Sequence, residues 1–185
     1  MFSVEHTFPA VKSAIRHVRR HILRDVTFDV TYKDSGCNSR DAPVSLFKLI
    51  RTNSVDAVFG PVCDYSLAPV GRYAPFWNLP VITSGGFAVD FGNKNTEFST
   101  LTRLGQNFDD LAEFFIEMLL QFEWNTLHLI YDANGRDDIS EGYCYLAASG
   151  IIQKSKERKV TNVYHMYDGN TLKELLVEKV GLKFG

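Results

Sequence analysis

The side chains able to do chemistry are few and scattered. His17 and His21 stand at i and i+4, so on a helix their imidazoles share a face and could share a metal. No third ligand lies nearby in sequence, and a solvated basic helix face accounts better for the pair, so no metal centre is expected. Two carboxylate pairs, Asp109-Asp110 and Asp137-Asp138, have the types needed for acid–base work; as neighbours of apolar-periodic stretches they read more simply as acids favoured by helix N-termini. Gly85-Gly86 and Gly92 have the wrong spacing for G-x-G-x-x-G, and the sequence contains no Walker loop, G-x-S-x-G, H-E-x-x-H or C-x-x-C. Nothing assembles a nucleophile, base and oxyanion hole, which argues against catalysis by this chain. Three cysteines remain, Cys37, Cys63 and Cys144, compatible with a reducing compartment or with one bridge plus an unpaired thiol.

The frame around these residues has globular composition. Its 185 residues, 45% hydrophobic and 23% charged, suit one domain or two small lobes with a real core. A net charge of -2 gives no reason to expect nucleic acid or an anionic membrane surface as partner. No apolar run reaches the roughly 18 residues of a spanning helix. The richest, Phe114 to Phe122, carries Glu117 and Gln121. Met1 to His6 shows neither the basic nor the apolar region of a leader, which alone would point to the cytoplasm.

Helical and strand-like segments alternate. A helix is expected from Pro9, with Val11, Ile15, Val18 and Ile22 on one face, and a strand over Val26 to Tyr32. A second helix opens at Asp41, placed to cap it, with Leu46, Leu49 and Ile50 inward. Ala57 to Phe59 reads as a short buried strand, Tyr65 to Phe76 as a helix kinked at Pro69, Pro80 to Thr83 as a strand, and Phe98 to Arg103 as an extended crossing segment. Asn107 to Phe122 is the clearest helix, its apolar face comprising Leu111, Phe114, Phe115, Met118, Leu119 and Phe122. Thr126 to Tyr131 and Val160 to Tyr167 read as strands, Ile139 to Lys156 as a helix, and Thr171 to Val180 as the start of another. Such alternation implies an α/β fold of parallel sheets covered by helices, with ligands at the carboxyl ends of strands. A division at 104/105 gives lobes 1–104 and 105–185.

The informative stretch is Gly60-Pro61-Val62-Cys63-Asp64-Tyr65-Ser66-Leu67-Ala68-Pro69-Val70-Gly71-Arg72-Tyr73, continuing through Trp77-Asn78-Leu79-Pro80-Val81-Ile82-Thr83. It resembles the extracellular ligand-binding domain of natriuretic peptide receptors and related receptor guanylate cyclases. In that family a buried strand ends in G-P-x-C, followed by an A-P-V-G-R helix and a W-x-x-P-x-x-T strand. Thr100-Leu101-Thr102-Arg103 matches the segment crossing between lobes, and the likeness runs from about Phe8 to Asp168. The wider type I periplasmic-binding-protein superfamily shares the two-lobed architecture and less of the motif.

The resemblance implies a disulfide between Cys37 and Cys63, for which chain entropy suggests about 3–4 kcal/mol. It implies that Cys144 is a half-cystine whose partner lies outside this chain. It carries over Tyr65 and Arg72 as peptide-ligand contacts, and Tyr145 as an aromatic where the family has another. Tyr65 supplies a rigid face with a hydroxyl and Arg72 a planar fork, both hot-spot chemistries. The family's contact acid just after the first cysteine has no clear counterpart, Ser39 standing there and Asp41 two residues on. Acidic residues around the later cysteine are partly replaced by Gly142 and Ser149, leaving Glu141; these departures point to a ligand other than a vertebrate natriuretic peptide. The family binds chloride on backbone N–H groups, here those of Val62 and Cys63, with a serine whose role falls to Ser35. No other cofactor is expected. A leader, a first strand, a spanning helix and a cyclase domain are expected outside the chain, so these residues alone should fold poorly. The function implied is binding of a peptide hormone at the outer face of the plasma membrane by a homodimer, with Phe76 and Trp77 as candidates for the dimer face. Two alternatives stand beside it: an amino-acid-binding domain using amides around Ser84-Gly85-Gly86, and a clearance-type receptor without cyclase.

Overall fold

A computed structural model describes residues 4–52, 54–167, 169 and 172–181. Helix α1 spans Val4–His21, α2 Asp41–Thr52, α3 Asp64–Tyr73, α4 Phe108–Gln121, α5 Tyr143–Glu157 and α6 Leu172–Leu175. Strands are β1 Val58–Phe59, β2 Val81–Thr83, β3 Leu101–Arg103, β4 Thr126–Asp132 and β5 Thr161–Tyr167. The first three pair in parallel in the order β1-β2-β3, and β4 pairs with β5 in parallel from Thr126 opposite Thr161 to Asp132 opposite Tyr167. The α/β class and its parallel sheets are as expected.

Two clusters of buried side chains hold these elements. Leu46, Leu67, Val70, Ala74, Leu79, Val81, Phe91, Phe98 and Leu101 pack around the first sheet. Ile116, Leu119, Leu127 and Val160, with part-buried Ile151 of α5, pack α4 and α5 onto the second. An aromatic triad joins the halves: Phe108 lies 5.7 Å from Phe87 and 5.1 Å from Tyr143 between ring centroids. The Phe108 N–H also donates to the Phe87 carbonyl at 2.8 Å.

Several elements differ from the sequence reading. Helix α1 begins before Pro9, which lies inside it, and Ile22 falls beyond its end and is exposed. Val26 to Tyr32 forms no strand: its alternating Val26, Phe28, Val30 and Tyr32 are all exposed, because no neighbouring strand accepts its ladder. Phe59 is likewise not buried but 79% exposed, since β1 is an edge strand. Asp41 is the first residue of α2 and does not cap it; Asn38 Oδ1 accepts from the Arg40 and Asp41 N–H groups. In α4 the buried stripe is Phe108, Ala112, Ile116 and Leu119, while Leu111, Phe114 and Phe122 point outward, Phe114 69% exposed. Helix α5 starts four residues later than Ile139, at Tyr143, directly after the left-handed N-cap Gly142. Asp137 and Asp138 thus sit in a loop, Asp138 pairing with Arg136. Of the final helix, Thr171 lies outside the described residues; Leu172–Leu175 is α-helical and Leu176–Val180 continues as a π-helix.

Candidate functional site

The turn Gly60-Pro61-Val62-Cys63 carries the chain from β1 into α3, and the carbonyls of Pro61, Val62 and Cys63 are engaged. Thr83 Oγ1 donates to the Pro61 carbonyl at 2.7 Å and accepts from the Gly85 N–H at 3.0 Å. The Gly86 N–H donates to the Val62 carbonyl at 3.3 Å. Gly85 is obligatory on packing grounds, because any Cβ there would collide with the backbone carbonyl of Val62. The N–H groups of Val62 and Cys63, by contrast, have no protein acceptor among the described residues.

Buried polar groups fix this platform from beneath. Asp64, 4% exposed, accepts from the Ala88 N–H at 2.7 Å. Burial raises its carboxyl above the usual range, partly offset by hydrogen bonds from the Ala88, Asp64 and Phe87 N–H groups and by the Arg103 charge. Arg103 Nη1 donates to the Gly86 and Ala88 carbonyls at 3.0 and 3.1 Å. The 85–88 loop is thus held on both sides, by an acceptor and by a donor.

Cys37 is disulfide-bonded to Cys63. The bridge ties the 34–38 loop, which turns through Gly36 N–H donating to Asp34 Oδ1 at 2.8 Å, to the start of α3. Ser35, whose carbonyl accepts from Asn38 N–H, is thereby brought to the same end of that helix. Cys144 is a free, half-buried thiol on the first turn of α5.

Tyr65 and Arg72 are seven residues apart on α3, two turns along one face. They do different things. Arg72 Nε donates to Glu97 Oε2 at 2.7 Å, and its guanidinium lies 5.3 Å from the Phe98 ring centroid. Both partners are half-exposed, so the pair contributes little to stability. With Pro75, Phe76 and Thr96 they line a shallow pocket of about 440 Å³. Tyr65 instead leans toward the second half of the chain, against Gly142 at the start of α5. Burial raises its phenol pKa, with Glu141, Tyr145, Asp64 and Asp137 adding to the effect. Tyr65 is 39% and Tyr145 46% exposed, so each presents a ring to solvent.

Of the residues singled out in the sequence, the structure seats Tyr65 against Gly142, three residues before Tyr145 on α5, and separately joins Cys63, next to Val62, to the Cys37 loop. Sequence reasoning missed Glu97, which occupies the Arg72 fork, and the seat that Gly142 provides for Tyr65. Neither has a local signal: the first pair is 25 residues apart, and a glycine shows its neighbours only after folding. Phe76 and Trp77 are both exposed and share an aromatic surface with Phe47 and Tyr73, Phe47 lying 5.3 Å from Tyr73 and 5.8 Å from Trp77. Among the described residues, no helix is long and apolar enough to cross a membrane.

Residues 6–179 match the family described as receptor family ligand binding region. The chain is 31% identical over 180 residues to atrial natriuretic peptide receptor 3 of Mus musculus, covering 91% of this chain and 32% of that protein. The same figures hold for atrial natriuretic peptide receptor 3 of Homo sapiens. Atrial natriuretic peptide receptor 2 of Homo sapiens is 32% identical over 134 residues, 72% of this chain and 13% of that protein. The chain therefore spans about a third or less of the length of these relatives.

Proposed function

The chain belongs to the receptor-family ligand-binding regions, and from that premise we propose that it is the hormone-capturing part of a cell-surface receptor. The match is to a ligand-binding region and not to a catalytic domain. In this reading the ligand is a peptide held at the outer face of the plasma membrane between two copies of the receptor. Two similar proteins are named as atrial natriuretic peptide receptors, which sets the class of ligand to try first.

The observation that carries the reading is the seating of Tyr65, on α3, against Gly142 at the start of α5, three residues before the exposed Tyr145. A ligand touching both rings would contact the parts before and after residue 104/105 at once, and so would favour one mutual arrangement. Arg72, farther along the same face of α3, would add a fork for ligand carbonyls or carboxylates once released from Glu97. Phe76 and Trp77, exposed beside that pocket, suit the dimer face. Cys144 would pair with a cysteine elsewhere in the receptor. The free N–H groups of Val62 and Cys63, next to the disulfide, fit a chloride ion, with the Ser35 hydroxyl as third donor. A spanning helix and a cyclase domain would belong to the intact receptor; a clearance-type receptor would differ only in lacking the latter. The amino-acid-binding alternative is weaker, because the Gly85 and Gly86 amides it needs already donate to Thr83 and Val62.

The test displays the intact receptor on cells and measures saturable binding of labelled atrial natriuretic peptide and a panel of other disulfide-looped peptides. At least one peptide should bind, and Tyr65→Ala or Tyr145→Ala should weaken it roughly tenfold or more, about 1.4 kcal/mol. Saturable binding of L-glutamate or another free amino acid in place of any peptide, or peptide binding indifferent to both substitutions, would overturn it.

A further inference from the structure

Gly142 caps the N-terminus of α5 with φ at +66°, and its N–H donates to Asp137 Oδ1 at 2.9 Å. A Cβ at this position would lie 3.0 Å from the Tyr65 hydroxyl oxygen and 3.2 Å from Tyr65 Cε2. The phenol ring, borne on α3 in the first half of the chain, therefore rests on bare backbone in the second. Any side chain at 142 would have to share that space with the ring.

We propose that Gly142 is a positioning residue for Tyr65: by having no side chain, it lets the phenol cross between the halves and fixes the aromatic surface that meets the ligand. The inference rests on the reading of Tyr65 and Tyr145 as ligand contacts. Two features of the surroundings support it. Asp137 holds the glycine in its left-handed turn, so the seat is built and not incidental. The raised phenol pKa is that of a ring partly removed from water, with the Glu141 charge adding to the effect. The arrangement also narrows the ligand. Position 142 offers no charge and a phenol covers it, so the surface suits an aromatic or aliphatic ligand face with a hydrogen-bonding group at its margin. Glu141 is the acid left beside that margin.

Tetranitromethane nitration of the intact receptor, mapped by mass spectrometry, reads the contact without a ligand. Exposed Tyr73, at the far end of α3, serves as internal reference. Gly142→Asn is the principal variant, because asparagine tolerates the left-handed backbone while its Cβ enters the ring's space; Gly142→Ala adds backbone strain to the same intrusion. Nitration of Tyr65 relative to Tyr73 should rise severalfold in both, as the displaced ring gains water. Unchanged relative nitration in Gly142→Asn overturns the inference. If neither variant reaches the cell surface, the double variant Tyr65→Ala/Gly142→Asn decides: restored display supports the contact, and continued failure overturns it. A receptor that shows the Tyr65 response yet binds no peptide loses the hormone reading alone.

Discussion

Asp64 is the residue on which the platform beneath the site turns. It is buried, acidic and bonded to loop amides, and burial outweighs those bonds, so its folded-state pKa lies above its unfolded value. The folded state therefore holds that proton more tightly. Ionisation at neutral pH opposes folding, and the opposition is relieved as pH falls through the folded pKa. Asp64→Asn, which keeps a carbonyl acceptor for the Ala88 N–H and removes the charge, should melt at or above the wild-type temperature at pH 7, the advantage shrinking toward pH 4. Asp64→Ala leaves the Ala88 N–H without its acceptor and should cost about 1–3 kcal/mol by urea unfolding at pH 7. A wild-type protein more stable at pH 7 than Asp64→Asn would mean that the hydrogen bonds and Arg103 outweigh burial. Residue types were legible at this scale and partners were not. Tyr65, Arg72 and the two bridged cysteines could be picked out by motif. Glu97 on Arg72, Ala88 on Asp64 and Gly142 under Tyr65 are contacts between segments remote in sequence, and no local pattern encodes them.

At the scale of elements, α4 and α5 form the best-fastened pair. Lys154 on α5, only 16% exposed along its side chain, reaches Asp109 at 2.9 Å, Glu113 at 3.2 Å and Glu157 at 3.4 Å. Arg158 adds ion pairs to Glu113 and Glu117. The hydrogen bond to Asp109 leads in raising the lysine pKa, so its contribution persists across neutral pH and is lost only in strong alkali. The Glu113 pKa is lowered, chiefly by the Arg158 hydrogen bond, so its share is present above the ordinary carboxylate range and is lost as pH falls below that range. Lys154→Met should therefore destabilise by about 2 kcal/mol at pH 7, less than a fully buried pair would because the acids are part-exposed, and by much less below about pH 4. Thermal melts at the two pH values check it; an equal loss at both would assign the effect to packing. Helix existence was legible here from period alone, and the face was not. The stripe Leu111, Phe114, Met118 and Phe122 is as apolar as Phe108, Ala112, Ile116 and Leu119, and hydrophobicity cannot choose between two apolar stripes. The choice was made by the aromatic triad and by the second sheet.

For the molecule as a whole, the open feature is in the first sheet. Its order β1-β2-β3 leaves β1 at an edge with Phe59 bare, while Val26 to Tyr32 has a strand's alternation and no ladder. That alternation by itself predicts a strand, but a strand is a property of two segments, and pairing supplies what propensity only permits. Two segments with unpaired backbone and exposed apolar side chains are where a sheet is weakest and most apt to join another chain. Hydrogen exchange separates these cases. In the dilute 185-residue chain, marginally folded as its open sheet implies, the amides of 26–32 should exchange at rates close to an unfolded peptide, whereas Val81 and Leu104, which donate to Thr100 and Thr83 across the sheet, should exchange more slowly. In a longer chain that carries a further strand, the same seven amides should become protected if that strand pairs with them. Protection already present in the dilute 185-residue chain would show that these residues find a partner within it, and the sheet would then have a fourth strand that its present order omits.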